Sequence, residues 1–136
     1  MKLPAEIRSA MNGVVPSQIA TASKDGWPNV TVISQVYFVD DEHVAISNQF
    51  FSKANRNLLE NPQAHIQLMD PADMVPWLLE VQFEREEKSG ALFDEMEMQL
   101  EAIASMTGMQ DVFKLQSAYV LKVLSVRKAS EAQNPG

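Results

Sequence analysis

The feature that most constrains this chain is a stretch that reads as one long strand with apolar side chains on both faces. Over residues 29–39, Val30, Val32, Val36 and Phe38 point one way, and Thr31, Ile33, Gln35, Tyr37 and Val39 the other. A strand with one polar face can lie against water, but one that is largely apolar on both must be covered on both. The chain punctuates this stretch with turns. Lys24-Asp25-Gly26-Trp27-Pro28 precedes it, and Asp40-Asp41-Glu42 follows it. Asp-Gly reaches positive φ cheaply, so the flanking segments at 17–23 and 43–47 are expected to pair with it antiparallel. A curved barrel can cover one face, and a second copy of the chain the other.

The rest of the chain supplies more of the same elements. Residues 4–11 read as a short helix, with Ile7, Ala10 and Met11 at helical spacing and Asn12-Gly13 ending it. A second short helix runs from Ser52 to Asn61-Pro62, where proline stops it. Residues 64–69 alternate Ala64, Ile66 and Leu68 against His65, Gln67 and Met69. After a proline-punctuated loop at 70–76, residues 77–87 place Leu79, Val81 and Phe83 inward. Residues 90–107 form the clearest helix, with Leu92, Phe93, Met96, Leu100, Ile103 and Ala104 on one stripe and Gly108 as its stop. Residues 118–126 are the last strand, and residues 129–136 a polar, frayed tail. The expected fold is mainly β within the α+β class: a six-stranded antiparallel split β-barrel with flanking helices, in one domain over residues 1–128.

Composition removes several function classes. No apolar run approaches the roughly 20 residues that span a bilayer, and the first residues lack the apolar core of a signal peptide, so no membrane partner is expected. The chain has no cysteine, which leaves no disulfide, thiolate metal site or thiol nucleophile and suits a cytoplasmic setting. A net charge of -7 opposes nonspecific nucleic-acid binding, which needs a basic face. His43 and His65 are the only histidines, each alone in a strand pattern, and they read as strand-face residues rather than metal ligands. Asp40-Asp41 reads as a solvated turn, and Glu84-Arg85-Glu86-Glu87-Lys88 as a charged strand exit with weak ion pairing. Neither Gly-x-Ser-x-Gly, Gly-x-Gly-x-x-Gly nor the Walker pattern occurs.

One stretch remains that could carry chemistry. Ser47-Asn48-Gln49-Phe50-Phe51-Ser52-Lys53-Ala54-Asn55-Arg56-Asn57-Leu58 reads as a strand end, a turn and a helix start with Ser52 as N-cap. Lys53 and Arg56 fall in the first turn, where the helix dipole disfavours cations. Two readings stand. Either this is an ordinary solvated helix start that tolerates a small cost, or free N–H groups, a hydroxyl and two cations hold an anion such as phosphate.

The segment from Gln18 to Pro62 resembles the flavin-binding half of the pyridoxamine 5′-phosphate oxidase-like split-barrel family. The likeness rests on Ala20-Thr21-Ala22-Ser23, the Asp25-Gly26-Trp27-Pro28 turn, the strand at 29–39 and Val44-Ala45-Ile46-Ser47. It continues through Ser52-Lys53, Arg56-Asn57-Leu58 and Glu60-Asn61-Pro62. The resemblance implies a dimer with FMN in a cleft between subunits. It implies that Thr31, Val32 and Ile33 lie along the flavin through backbone groups, that Ser47 and Asn48 contribute at a strand end, and that Ser52 and Lys53 hold the phosphate. Four departures set the chain apart from the true oxidases. Thr31 stands where they carry an arginine, Ala54 takes the second place of a basic pair, the glycine expected in the fifth strand is replaced near Glu84, and no counterpart of their substrate-binding segment follows Val126.

The expectation is therefore an FMN-binding flavoprotein and homodimer, with flavin-dependent oxidoreductase chemistry on an unidentified small-molecule substrate and without pyridoxamine phosphate oxidation. The alternatives are a non-catalytic flavin- or ligand-binding module, or a relative that binds haem or a deazaflavin. No residue can be assigned as general acid or base.

Overall fold

The computed structural model describes residues 2–11, 15–33, 35–48, 53–107 and 115–129, without the side chains of Asn48 and residues 103–107. The elements follow in the order 3-10 helix (Ala5–Met11), β1 (Ser17–Ala22), β2 (Pro28–Ile33), β3 (Tyr37–Asp40), β4 (His43–Asn48), α1 (Lys53–Glu60), β5 (Gln63–Met69), β6 (Pro76–Glu87), α2 (Ala91–Thr107) and β7 (Ser117–Lys128). The expected first helix is thus a tight 3-10 helix that buries Ile7, Ala10 and Met11. The expected stops at Asn12-Gly13 and Gly108, and residues 130–136 of the polar tail, lie outside the described residues.

All strands join one antiparallel sheet in the order β2-β1-β5-β6-β7-β4-β3. Its two edges, β2 and β3, are neighbours in the chain. Only residues 34–36 separate them, and an extended chain gains at most ~3.6 Å per residue, which keeps the facing ends within roughly 14 Å. The sheet must therefore roll until its edges almost meet, which makes it a barrel with one open seam. Shifts in register at Glu80/Val81 and Phe83/Arg85 in β6, and at Phe38/Asp40 in β3, bend the strands for that closure.

The long strand expected at 29–39 is therefore two strands, and the sheet has seven segments rather than six. With β2 and β3 taken as one broken strand, the expected six-stranded barrel is recovered. The break also reassigns side chains. Val36 and Phe38 join the barrel core, whereas Val30 and Val32, expected on the same face, remain 66% and 63% exposed. Straight alternation put these four together, and the break between β2 and β3 separates them.

The barrel interior is filled by the inward residues of the other strands. Ile19, Val44, Ile46, Ile66, Leu68, Leu79, Val81 and Leu121 are essentially inaccessible. A second cluster lies on the outer wall, where Met96 and Leu100 of α2 cover Tyr37, Ala45 and Ala118, with Leu92 and Phe93 partly buried. The side chains of Ile103 and Ala104, expected on the same stripe, are outside the described set. Local chemistry explains the joints. Gly26 (φ +87) turns the β1–β2 hairpin, and Gly90 (φ +103) accepts the first hydrogen bond of α2 from Asp94 N–H at 3.0 Å. Pro76 opens β6, where a missing N–H costs the ladder least.

Candidate functional site

The described residues singled out in the sequence lie on β2, at the end of β4 and at the start of α1. Thr31, Val32 and Ile33 lie on β2, whose only strand partner among the described residues is β1. The other edge of β2 therefore offers a row of N–H and C=O groups with no strand partner. Register fixes the facing of the side chains. Ser17 pairs with Ile33 and Ile19 with Thr31, so Thr31 and Ile33 share the inward face while Val32 points out. Ser47 and Asn48 end β4, paired with Ala118 and Ser117 of β7. Five residues later α1 begins at Lys53 and packs across β1 and β2. The fold thus links the end of β4 to the edge of β2 through α1.

Lys53 is exposed at the first residue of α1, and it makes no ion pair with another described residue. The first turn of α1 contains no acidic side chain. Ser52, expected as the N-cap, lies outside the described residues. The inner face of α1 buries Ala54, Asn57 and Leu58. Asn57 is 2% exposed and donates through Nδ2 to Thr21 Oγ1 of β1 at 3.1 Å. The motif reading quoted Asn57 and Thr21 but gave neither a role, because a contact across 36 residues of chain has no local signal.

A cavity of about 240 Å³ lies apart from this constellation, between the 3-10 helix, residues 35–38 and α2. Gln35 crosses its wall. Its Nε2 donates to Met11 O at 3.1 Å and to Gln99 Oε1 at 3.3 Å, and Gln99 Nε2 donates to Glu95 Oε1 at 3.4 Å. Arg8 sits at the rim with its guanidinium 3.8 Å from the centre of the Phe38 ring. Tyr37 also lines the cavity. Its hydroxyl has no hydrogen-bond partner among the described residues, and burial pushes its pKa up to about 12, so it stays protonated at neutral pH. The sequence reading missed this place. A hint was present in Gln35, a polar residue on a strand face that otherwise reads as apolar.

Both histidines lie on strand faces, His43 on β4 and His65 on β5, and carboxylates approach each. His43 Nδ1 lies 2.8 Å from Asp40 and Nε2 lies 3.2 Å from Glu84, while His65 Nδ1 lies 2.9 Å from Glu80. The hydrogen bond to Asp40, then that to Glu84, raises the His43 pKa. Glu84 is lowered chiefly by His43. Asp40 is lowered despite its own desolvation, by the backbone N–H of Glu42 and by the His43 ring. Arg85 pairs with both Glu84 and Glu87 on the exposed strand exit. Both ring nitrogens of His43 are thus engaged by carboxylates, and no group of three or more side chains among the described residues is arranged to hold a metal ion. Nor is any described helix long and apolar enough to cross a membrane.

Comparison with known proteins agrees with this fold. An uncharacterised protein of Methanocaldococcus jannaschii is 39% identical over 77 residues, which are 54% of this chain and 50% of that protein. The chain thus spans about half the length of this curated relative. Among solved structures, an FMN-binding protein from Syntrophomonas wolfei subsp. wolfei superposes with a TM-score of 0.74 at 16% identity, covering 90% of this chain and 84% of that one. An F420 reductase gives 0.65 at 14% identity over 92% and 98% of the two chains. HutZ, a haem storage protein from Vibrio cholerae, gives 0.62 at 19% identity over 93% and 94%. At these identities the likeness concerns the fold. The pyridoxamine 5′-phosphate oxidase family profile matches residues 3–126, nearly the whole chain. With the seamed antiparallel barrel, this settles the kinship: the chain belongs to the pyridoxamine 5′-phosphate oxidase family.

Proposed function

We propose that this protein, folded as one domain over residues 1–128, binds FMN at the seam of its barrel, in a cleft completed by a second copy of the chain. The observation that carries the reading is the family match over residues 3–126, taken with a cationic, acid-free start of α1 beside the unpaired edge of β2. The donor set suits the ligand. Backbone groups of Thr31, Val32 and Ile33 can meet the polar edge of the isoalloxazine. Ser47 and Asn48 approach from the end of β4. Ser52 and Lys53 take the phosphate, where the helix dipole and the ammonium both favour negative charge. Outward Val30 and Val32 give the partner copy an apolar surface to cover.

Bound flavin would supply the redox chemistry, and the chain would supply binding, orientation and electrostatics. Lys53 alone, with Ala54 beside it and Thr31 in place of an arginine, separates this chain from the oxidases that act on pyridoxamine phosphate. The structures of an F420 reductase and a haem storage protein with the same fold keep a deazaflavin and haem as the second reading.

The test is direct. The purified protein should carry or take up FMN with a flavin spectrum, and should prefer FMN to riboflavin in a titration. Equal affinity for the two would remove the phosphate site, and a haem or deazaflavin spectrum would replace FMN with the second reading. Reduction of the bound flavin by NAD(P)H, followed by turnover of an acceptor, separates an enzyme from a non-catalytic binding module.

A further inference from the structure

We propose that Asn57 and Thr21 are positioning residues that hold α1 in register with the β1–β2 hairpin, so that Lys53 and the β2 edge address the same bound molecule. The inference rests on the FMN reading above and assigns a role to a contact on which that reading does not depend.

The inner face of α1 could have been wholly apolar. It instead holds an asparagine between Ala54 and Leu58 that is 2% exposed, facing a threonine that is 4% exposed. Asparagine is a poor interior helix residue, and a buried amide or hydroxyl costs free energy unless it is paired. The pair is made, with Asn57 Nδ2 3.1 Å from Thr21 Oγ1. An apolar pair would cover the same area without these costs, but apolar contact has no direction. The apolar contacts of Ala54 and Leu58 do not by themselves set the roll or height of this helix of 8 residues on the sheet. A hydrogen bond fixes both its rotation and its height.

Each end of this bond leads to the candidate site. On the helix, Asn57 stands four residues after Lys53, which places the two on the same side of α1, one turn apart. Its carbonyl accepts Asn61 N–H at 2.7 Å, closing the last turn. On the sheet, Thr21 pairs across the hairpin with Asn29, two residues before Thr31. Fixing Asn57 to Thr21 therefore fixes the start of α1 relative to the strand bearing Thr31, Val32 and Ile33. Without it, a directional tie between the helix start and the hairpin is lost.

The double variant T21V/N57L tests this, because it removes both polar partners together and leaves none unsatisfied. The melting temperature of the unliganded protein should hold or rise. Its affinity for FMN should fall by about 2- to 10-fold, the reach of one neutral hydrogen bond, while its affinity for riboflavin stays unchanged. Amide hydrogen exchange should quicken in α1 and remain slow in β5 and β6. A double variant that discriminates FMN from riboflavin as well as the wild type does would overturn the positioning role alone. So would a melting temperature that falls in step with the affinities for both flavins, since that marks an ordinary structural pair. A wild type with no preference for FMN would overturn the functional reading and this inference with it.

Discussion

Val30 offers the most direct test of the proposed dimer. It lies on edge strand β2, outside the barrel core, and is 66% exposed in the single chain. Burying a whole valine is worth about 1.5–3 kcal/mol, so covering the two-thirds still exposed is worth about 1–2 kcal/mol. A two-fold dimer presents the same patch twice, so removing this contact from both copies should cost about 2–4 kcal/mol and raise the dissociation constant ~30- to 900-fold. V30K removes it and adds a charge that the interface would have to desolvate, so the shift should reach at least that range. Within one protomer the residue faces solvent, so the intrinsic stability of the fold should hardly change. Sedimentation velocity across a concentration series reads the constant, with chemical denaturation at fixed protein concentration as the control. The reasoning fails if the wild type sediments as a monomer at micromolar concentration, or if V30K dimerises as tightly as the wild type.

Three further outcomes follow from particular residues. Lys53→Ala should weaken FMN binding about 10- to 150-fold, the worth of a charge-assisted hydrogen bond, and Lys53→Glu should weaken it more. The melting temperature should hold because the side chain is exposed; unchanged affinity with a higher melting temperature would mark a plain solvated helix start. His43 has a raised pKa, so its pairing with Asp40 and Glu84 stabilises the fold fully below the unfolded value near 6.5 and loses that contribution as pH rises through the folded value. Asp40 and Glu84 have lowered values, so their share is lost as pH falls through those values in acid. H43Q should therefore lag the wild type in melting temperature most at mildly acidic pH and least at pH above the raised value. A gap independent of pH would exclude that linkage. Leu79→Ala, at a fully buried position of β6, should cost about 2–5 kcal/mol by urea denaturation, and a loss under 1 kcal/mol would mean that the barrel interior can collapse around the void.

How much of this was legible depended on the range of the interaction. The alternation Ala64-Ile66-Leu68 and Leu79-Val81-Phe83 announced β5, β6 and their inward faces, because a strand with one buried face writes its period into its own residues. Asp25-Gly26 announced a hairpin, Pro62 and Gly90 the limits of helices, and the stripe from Leu92 to Leu100 the face by which α2 docks. The order of these pieces was enough to suggest the family to which the chain belongs. The break between β2 and β3 was not legible. Alternation runs on through Gln35 and Val36 as though the strand were continuous, whereas β2 and β3 fall at opposite edges of the sheet. Val36 is buried at 0% exposure and Val30 is left outside. The partners of His43 and Asn57 were equally hidden, since Glu84 and Thr21 lie 41 and 36 residues away and meet them only through sheet order and helix docking. Local sequence determined which segments became strands and helices and which face of most of them would be apolar. Tertiary structure decided where the barrel splits, which polar side chains meet, and that a cavity opens beneath α2, because each of these is a distance between residues far apart in the chain.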